Sequence, residues 1–194
     1  VLTTREKRIT AYHEAGHALV ASLLPNADPV HKISIISRGR AAGYTLKLPF
    51  EDKKMQSKKE FLDDLAVNLG GYITEQIKFD DVTTGPSNDL QAVTDIARSM
   101  VTRYGMSPEI GPMALDRSQR RIQYTAPEEA DHDYSDKLSE RVDAEVSRIV
   151  REAYEKAEAL IAEHDELLEA IAQKLIDVEN MERDQFEEIL RHHG

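Results

Sequence analysis

The chain has 194 residues, 40% of them hydrophobic and 31% charged, with a formal net charge of −11 and no cysteine. That length supports one domain with a real core, or two small subdomains sharing one, and the balance is that of a soluble globular protein. The missing cysteines exclude a disulfide framework and a thiolate metal site, and the acidic excess argues against nucleic acid as the main partner.

No apolar stretch approaches the roughly 20 residues of a membrane span, and the opening residues carry no signal-peptide pattern. Thr3-Thr4-Arg5-Glu6 reads as a capping box, and Ile9, Tyr12, Leu19, Val20, Leu23 and Leu24 continue with helical spacing up to Pro25. Inside this helix lies His13-Glu14-Ala15-Gly16-His17. A spacing of four puts both imidazoles on one face, one turn apart, where each can bring a nitrogen to about 2.0–2.1 Å from a single Zn²⁺. Glu14 stands beside that face, placed to reach a water on the metal rather than the metal itself. This is the division of labour of zinc-assisted hydrolysis: the ion acidifies water and polarises a carbonyl, and the carboxylate takes the proton. Ala15-Gly16 leave the helix wall thin, so another element can approach closely.

After a polar turn at Asn26-Ala27-Asp28-Pro29, Val30 to Ser37 is rich in Ile, and Arg38-Gly39-Arg40 turns the chain into Gly43–Leu48. Two such runs predict a hairpin or two adjacent strands, a small sheet whose open edge can pair with an extended peptide. Ser57-Lys58-Lys59-Glu60 opens a second helix carried by Phe61, Leu62, Leu65, Ala66, Leu69, Ile73 and Ile77. Gly70-Gly71 within it predicts a close helix–helix approach, with Ala15-Gly16 as the candidate neighbour. Phe79 to Asn88 reads as a loop, and Leu90 to Val101 as a third helix ending near Gly105. Ser107 to Thr125 is irregular, with short extended pieces expected at 113–115 and 122–124. From Ser135 to His193 there is neither Gly nor Pro. Two long apolar stripes and a short closing helix through Met181, Phe186, Ile189 and Leu190 predict a helical bundle. The fold class is therefore mainly α: a bundle with a small β-sheet or hairpin beside the motif helix.

Two histidines leave zinc short of a protein ligand and a water. Val20 and Leu23 occupy the positions where a metzincin needs Gly and His, so the third ligand comes from further along. His31 is a weak candidate at the start of the strand region. Glu75, on the second helix, and Asp89, at the start of the third, are the serious ones. Pattern alone does not separate them, because the helix dipole also favours an acid in a first turn.

Several segments together carry a resemblance. They are His13–Val20, Ile33–Ile36 with Arg38-Gly39-Arg40 and Gly43-Tyr44-Thr45, Val82–Gly85 with Ser87-Asn88-Asp89-Leu90, Met100–Met106, and Val142–Val146. In order, and over nearly the whole chain, they resemble the protease module of FtsH-type membrane-anchored AAA zinc metalloproteases. The resemblance implies a zinc endopeptidase domain over residues 1–194, with active-site helices and sheet in 1–130 and a helical bundle in 131–194. It implies one Zn²⁺ per chain held by His13, His17 and Asp89, with Glu14 as catalytic base, and Glu75 is expected to hydrogen-bond a ligating histidine. Substrate is expected along the strand near Ile33, Ser34, Ile35 and Ile36 or its partner at Gly43 and Tyr44. The implied partners are polypeptide substrates, unfolded or membrane proteins, and five further copies in a homo-hexamer. ATP would serve only an ATPase part that these residues lack, since no glycine here precedes a lysine. The full-length protein would be membrane-associated through segments outside this chain, with the protease module on the cytoplasmic or organelle-interior side and this fragment soluble. Ser37, Pro86 and Tyr72-Ile73-Thr74-Glu75-Gln76 depart from the usual family residues without touching the implied ligands or base. Two other readings are a catalytically idle, zinc-stabilised module for ring assembly, and a small-molecule zinc hydrolase, which would require an enclosed pocket.

Overall fold

The computed structural model describes residues 2–36, 43–47, 55–115 and 135–193. The motif helix, α1, spans Thr4–Leu23 and opens on the predicted capping box. The Thr3 hydroxyl accepts from the Glu6 amide, and the Glu6 carboxylate accepts from the Thr3 amide. The described residues hold five more helices: α2 (Lys58–Phe79), α3 (Ser87–Thr102), α4 (Asp136–Glu163), α5 (Asp165–Val178) and α6 (Arg183–His193). Three short strands, β1 (Val30–Ser34), β2 (Tyr44–Lys47) and β3 (Asn180–Glu182), form an antiparallel sheet in the order β2-β1-β3.

Every residue of α1 from Thr10 to Ala21 is buried. Unlike an amphipathic surface helix, α1 is covered by α2, α5 and the sheet, which suits its mixture of small and apolar residues. The α1–α2 contact is as close as the paired small residues predict. A Cβ on Gly16 would stand 2.5 Å from the Gly70 carbonyl oxygen, and one on Gly70 would stand 2.8 Å from that of Gly16. Only bare backbone fits there. Tyr12, Leu19, Ile33, Ile73, Met100, Leu168 and Met181 fill the core around this contact. Asp63, 2% exposed, accepts from the Asn26 amide and pairs with Lys156, tying the turn before β1 to α2 and α4.

The pattern misses β3, placing Met181 in a closing helix; Met181 instead pairs with Ile33 at the centre of the sheet and is fully buried. Three residues are too few to display a period of two, so nothing local separates them from a helix start. Residues 113–115 form no strand. The third helix starts at Ser87, inside the expected loop. The Arg38-Gly39-Arg40 turn, Ser37, Leu48 and the expected piece at 122–124 lie outside the described residues.

Candidate metal centre

The two motif histidines are oriented from α2. His17 Nδ1 lies 2.7 Å from the carbonyl oxygen of Val67, and His13 Nδ1 lies 2.8 Å from Glu75 Oε2. Both neighbours are acceptors, so each Nδ1 carries the hydrogen and each Nε2 is left to face the other way. Glu75 is 1% exposed, and its second oxygen accepts from the Thr83 amide at 3.1 Å and hydroxyl at 2.6 Å. Gly71 makes room for the His13 ring, whose Cε1 would lie 2.4 Å from a Cβ at that position.

The free nitrogens converge. The two Nε2 atoms are 3.0 Å apart, and Asp89 Oδ2 lies 3.1 Å from each. Three lone-pair atoms thus meet in a near-equilateral triangle, close to the roughly 3.3 Å spacing of tetrahedral zinc ligands at about 2.0–2.1 Å. Such a donor set fits a cation. By distance alone His13, Glu14 and His17 also form a cluster, their ligating atoms lying within 4.8 Å of one another. The Glu14 carboxylate, however, accepts from the Thr45 hydroxyl at 2.6 Å, whereas Asp89 points at both rings. The tighter contacts favour Asp89 as the third corner.

Electrostatics agree with a cation. Burial alone would lower the pKa of His13, but Asp89 and Glu75, one at each ring nitrogen, and the nearby Glu14 charge raise it to about 10. Burial would likewise raise Asp89, but His13 and His17 hold it well below the usual carboxylate range. Glu75 is lowered against its own burial by His13 and Thr83. These carboxylates stabilise positive charge at His13, and a metal ion held there would supply that charge in place of the proton.

The sequence profile of peptidase family M41 matches residues 1–189. The chain belongs to peptidase family M41. Among its relatives, the ATP-dependent zinc metalloprotease FtsH 1 of Sphaerobacter thermophilus is 44% identical over 187 residues, covering 96% of this chain and 29% of that protein. FtsH of Syntrophobacter fumaroxidans is 47% identical over 189 residues, covering 96% and 29%. FtsH of Rubrobacter xylanophilus is 43% identical over 194 residues, covering 100% and 30%. The chain spans between 28% and 31% of the length of the curated relatives it matches. The family is one of peptidases, and the His-Glu-x-x-His cluster on α1 offers donor atoms that could hold a metal ion.

In this M41 domain His13, Glu14 and Asp89 line a half-open cleft of about 630 Å³ together with Leu2, Arg5, Ile9, Thr10, Gly43 and Thr84. Of the residues expected along the sheet edge, Ile33 and Ser34 are paired on both sides, and the Ile35 amide donates to the Glu179 carbonyl at 3.0 Å. Ile36 is exposed outside the strands. Among the described residues the edge free on the cleft side is that of β2, where Tyr44 is exposed and Gly43 reaches the cleft wall. His31 is exposed on β1 and takes no part in the cluster. No helix among the described residues is long and apolar enough to cross a membrane. Sequence reasoning missed Val67, Thr83 and Thr45, and read Gly71 only as part of a close helix approach. A carbonyl acceptor leaves no residue signature; Thr83 and Thr45 stand within segments that carried the resemblance, the one signal that marked them.

Proposed function

We propose that this M41 domain is the proteolytic part of an ATP-driven protease that cuts unfolded or membrane proteins, with His13, His17 and Asp89 holding zinc and Glu14 as base. The observation that carries the ligand set is Asp89 Oδ2 standing 3.1 Å from both free imidazole nitrogens. Zinc, when bound, supplies the Lewis acidity that brings water toward ionisation near neutral pH and polarises a carbonyl. Glu14, held beside the cluster by Thr45, accepts the proton of the attacking water and passes it to the leaving amine. Val67 and Glu75 fix the imidazoles so that both Nε2 lone pairs stay aimed at the ion. A substrate backbone lies along the free edge of β2, near Gly43 and Tyr44, as an added strand, with the exposed Ile36 at the end of β1 close to its path. The half-open cleft supports a polymeric substrate over a small enclosed one. Assembly as a homo-hexamer, coupling to an ATPase part and attachment to a membrane through other segments are proposed on the strength of the ATP-dependent relatives.

Glu14→Gln tests the mechanism. The variant is expected to keep its fold and about one zinc per chain while casein cleavage falls by at least about 100-fold, the scale of general-base catalysis. Cleavage near the wild-type rate would overturn the role of Glu14.

A further inference from the structure

Glu14 is not free to swing. Its Oε2 accepts a 2.6 Å hydrogen bond from Thr45 Oγ1, on the strand that borders the cleft. That strand is pressed hard against α1. A Cβ on Gly43, two residues earlier and on the same face, would stand 2.7 Å from Thr10 Cγ2, 2.8 Å from the Ser34 carbonyl oxygen and 3.3 Å from Glu14 Cγ. Thr45 in turn pairs with the fully buried Ile33 on the central strand, itself paired to Met181 on its other side. The hydroxyl is therefore anchored through the whole width of the sheet.

We propose that Thr45 is a positioning residue for Glu14: the edge strand holds one carboxylate oxygen so that the carboxylate stays beside the metal ligands. The inference rests on Glu14 being the base. A glutamate side chain has three rotatable bonds, and proton transfer requires the accepting oxygen within hydrogen-bond reach of the water. One bond to a rigid strand removes most of that freedom before substrate arrives. Because the same strand offers the edge for substrate, a peptide seated in register and the base that serves it share one support.

Valine keeps the β-branched shape of Thr45 and its fit to a strand but removes the donor. In the zinc-loaded protein, Thr45→Val is expected to lower kcat for a peptide about tenfold, with KM within about twofold and zinc stoichiometry unchanged. Thr45→Ser, which restores the hydroxyl, is expected to recover most of kcat. Wild-type kcat in Thr45→Val, a loss confined to KM, or a serine variant no better than the valine one would each overturn the proposal. Glu14→Gln measured alongside separates the two readings. If it stays active, the base assignment fails; if it is inactive while Thr45→Val turns over normally, only the role of Thr45 fails.

Discussion

An imidazole with a carboxylate at each nitrogen is a site for positive charge, and at His13 the two carboxylates do different work. Asp89 lies on the Nε2 side, where the second histidine also points; Glu75 lies on the Nδ1 side and touches no other ring. The sequence makes both acids candidates and separates neither, because an acid at a helix start and an acid on a helix face each have ordinary structural reasons to be there. What separates them is which ring nitrogen each one meets, and that is fixed by how α1, α2 and α3 pack. The paired histidines and Glu14 were legible because a spacing of four on a helix is geometry written directly in residue number. Asp89→Ala is therefore expected to lose most of its zinc and all activity. Glu75→Ala is expected to bind zinc about 10–100-fold more weakly, remain loaded at saturating metal, and lose activity only in part. Zinc stoichiometry of both purified variants is the check, and a full site in Asp89→Ala with an empty one in Glu75→Ala would exchange their roles.

The helices were legible as elements because each long one carries a capping signal or a sustained apolar stripe, and both capping boxes form as read. The close approach at Gly16 and Gly70 was legible too, since paired small residues on buried helices leave little else to explain them. Alanine is the better helix former by about 1 kcal/mol, so an exposed glycine replaced by alanine would stabilise. At Gly70 the added methyl meets the Gly16 carbonyl oxygen at 2.8 Å, and backbone cannot rotate away. Gly70→Ala is thus expected to destabilise by about 1–3 kcal/mol. A lower urea midpoint at unchanged slope would bear this out, and a raised midpoint would show that α1 and α2 separate easily. The β3 strand was illegible for the opposite reason, its identity residing in its partner Ile33 rather than in its own three residues.

Far from the cleft, Glu145 on α4 links that helix to the turn after α3. Arg148 and the Ser107 hydroxyl both hydrogen-bond it, and the Ser107 hydroxyl also accepts from the Ile110 amide. Arg148 foremost, with Ser107 and the Lys58 charge, holds the Glu145 pKa at about 2 against its burial, down from an ordinary 4.5. A carboxylate depressed in the folded state stabilises fully above its unfolded value and loses that contribution as pH falls through the folded one. Glu145→Gln is therefore expected to lower Tm at pH 6, with the gap from wild type closing between about pH 4.5 and 2. Arg148 is 42% exposed, so added salt should shrink the effect. A gap independent of pH would assign Glu145 a purely packing role. The long reach of the metal centre has another consequence. His13 meets Glu75 across 62 residues and Asp89 across 76. Closing loops of that size precedes any reward from the contacts they permit, so the cluster cannot assemble before α2 and α3 pack on α1, although the pairing of Ile33 with Met181 closes a longer loop still. A chain emerging from the ribosome carries its His-Glu-x-x-His helix long before it carries Asp89. On the proposed ligand set, it holds two imidazoles without their third ligand until α3 docks, and so has no working blade to turn on its own unfinished copies.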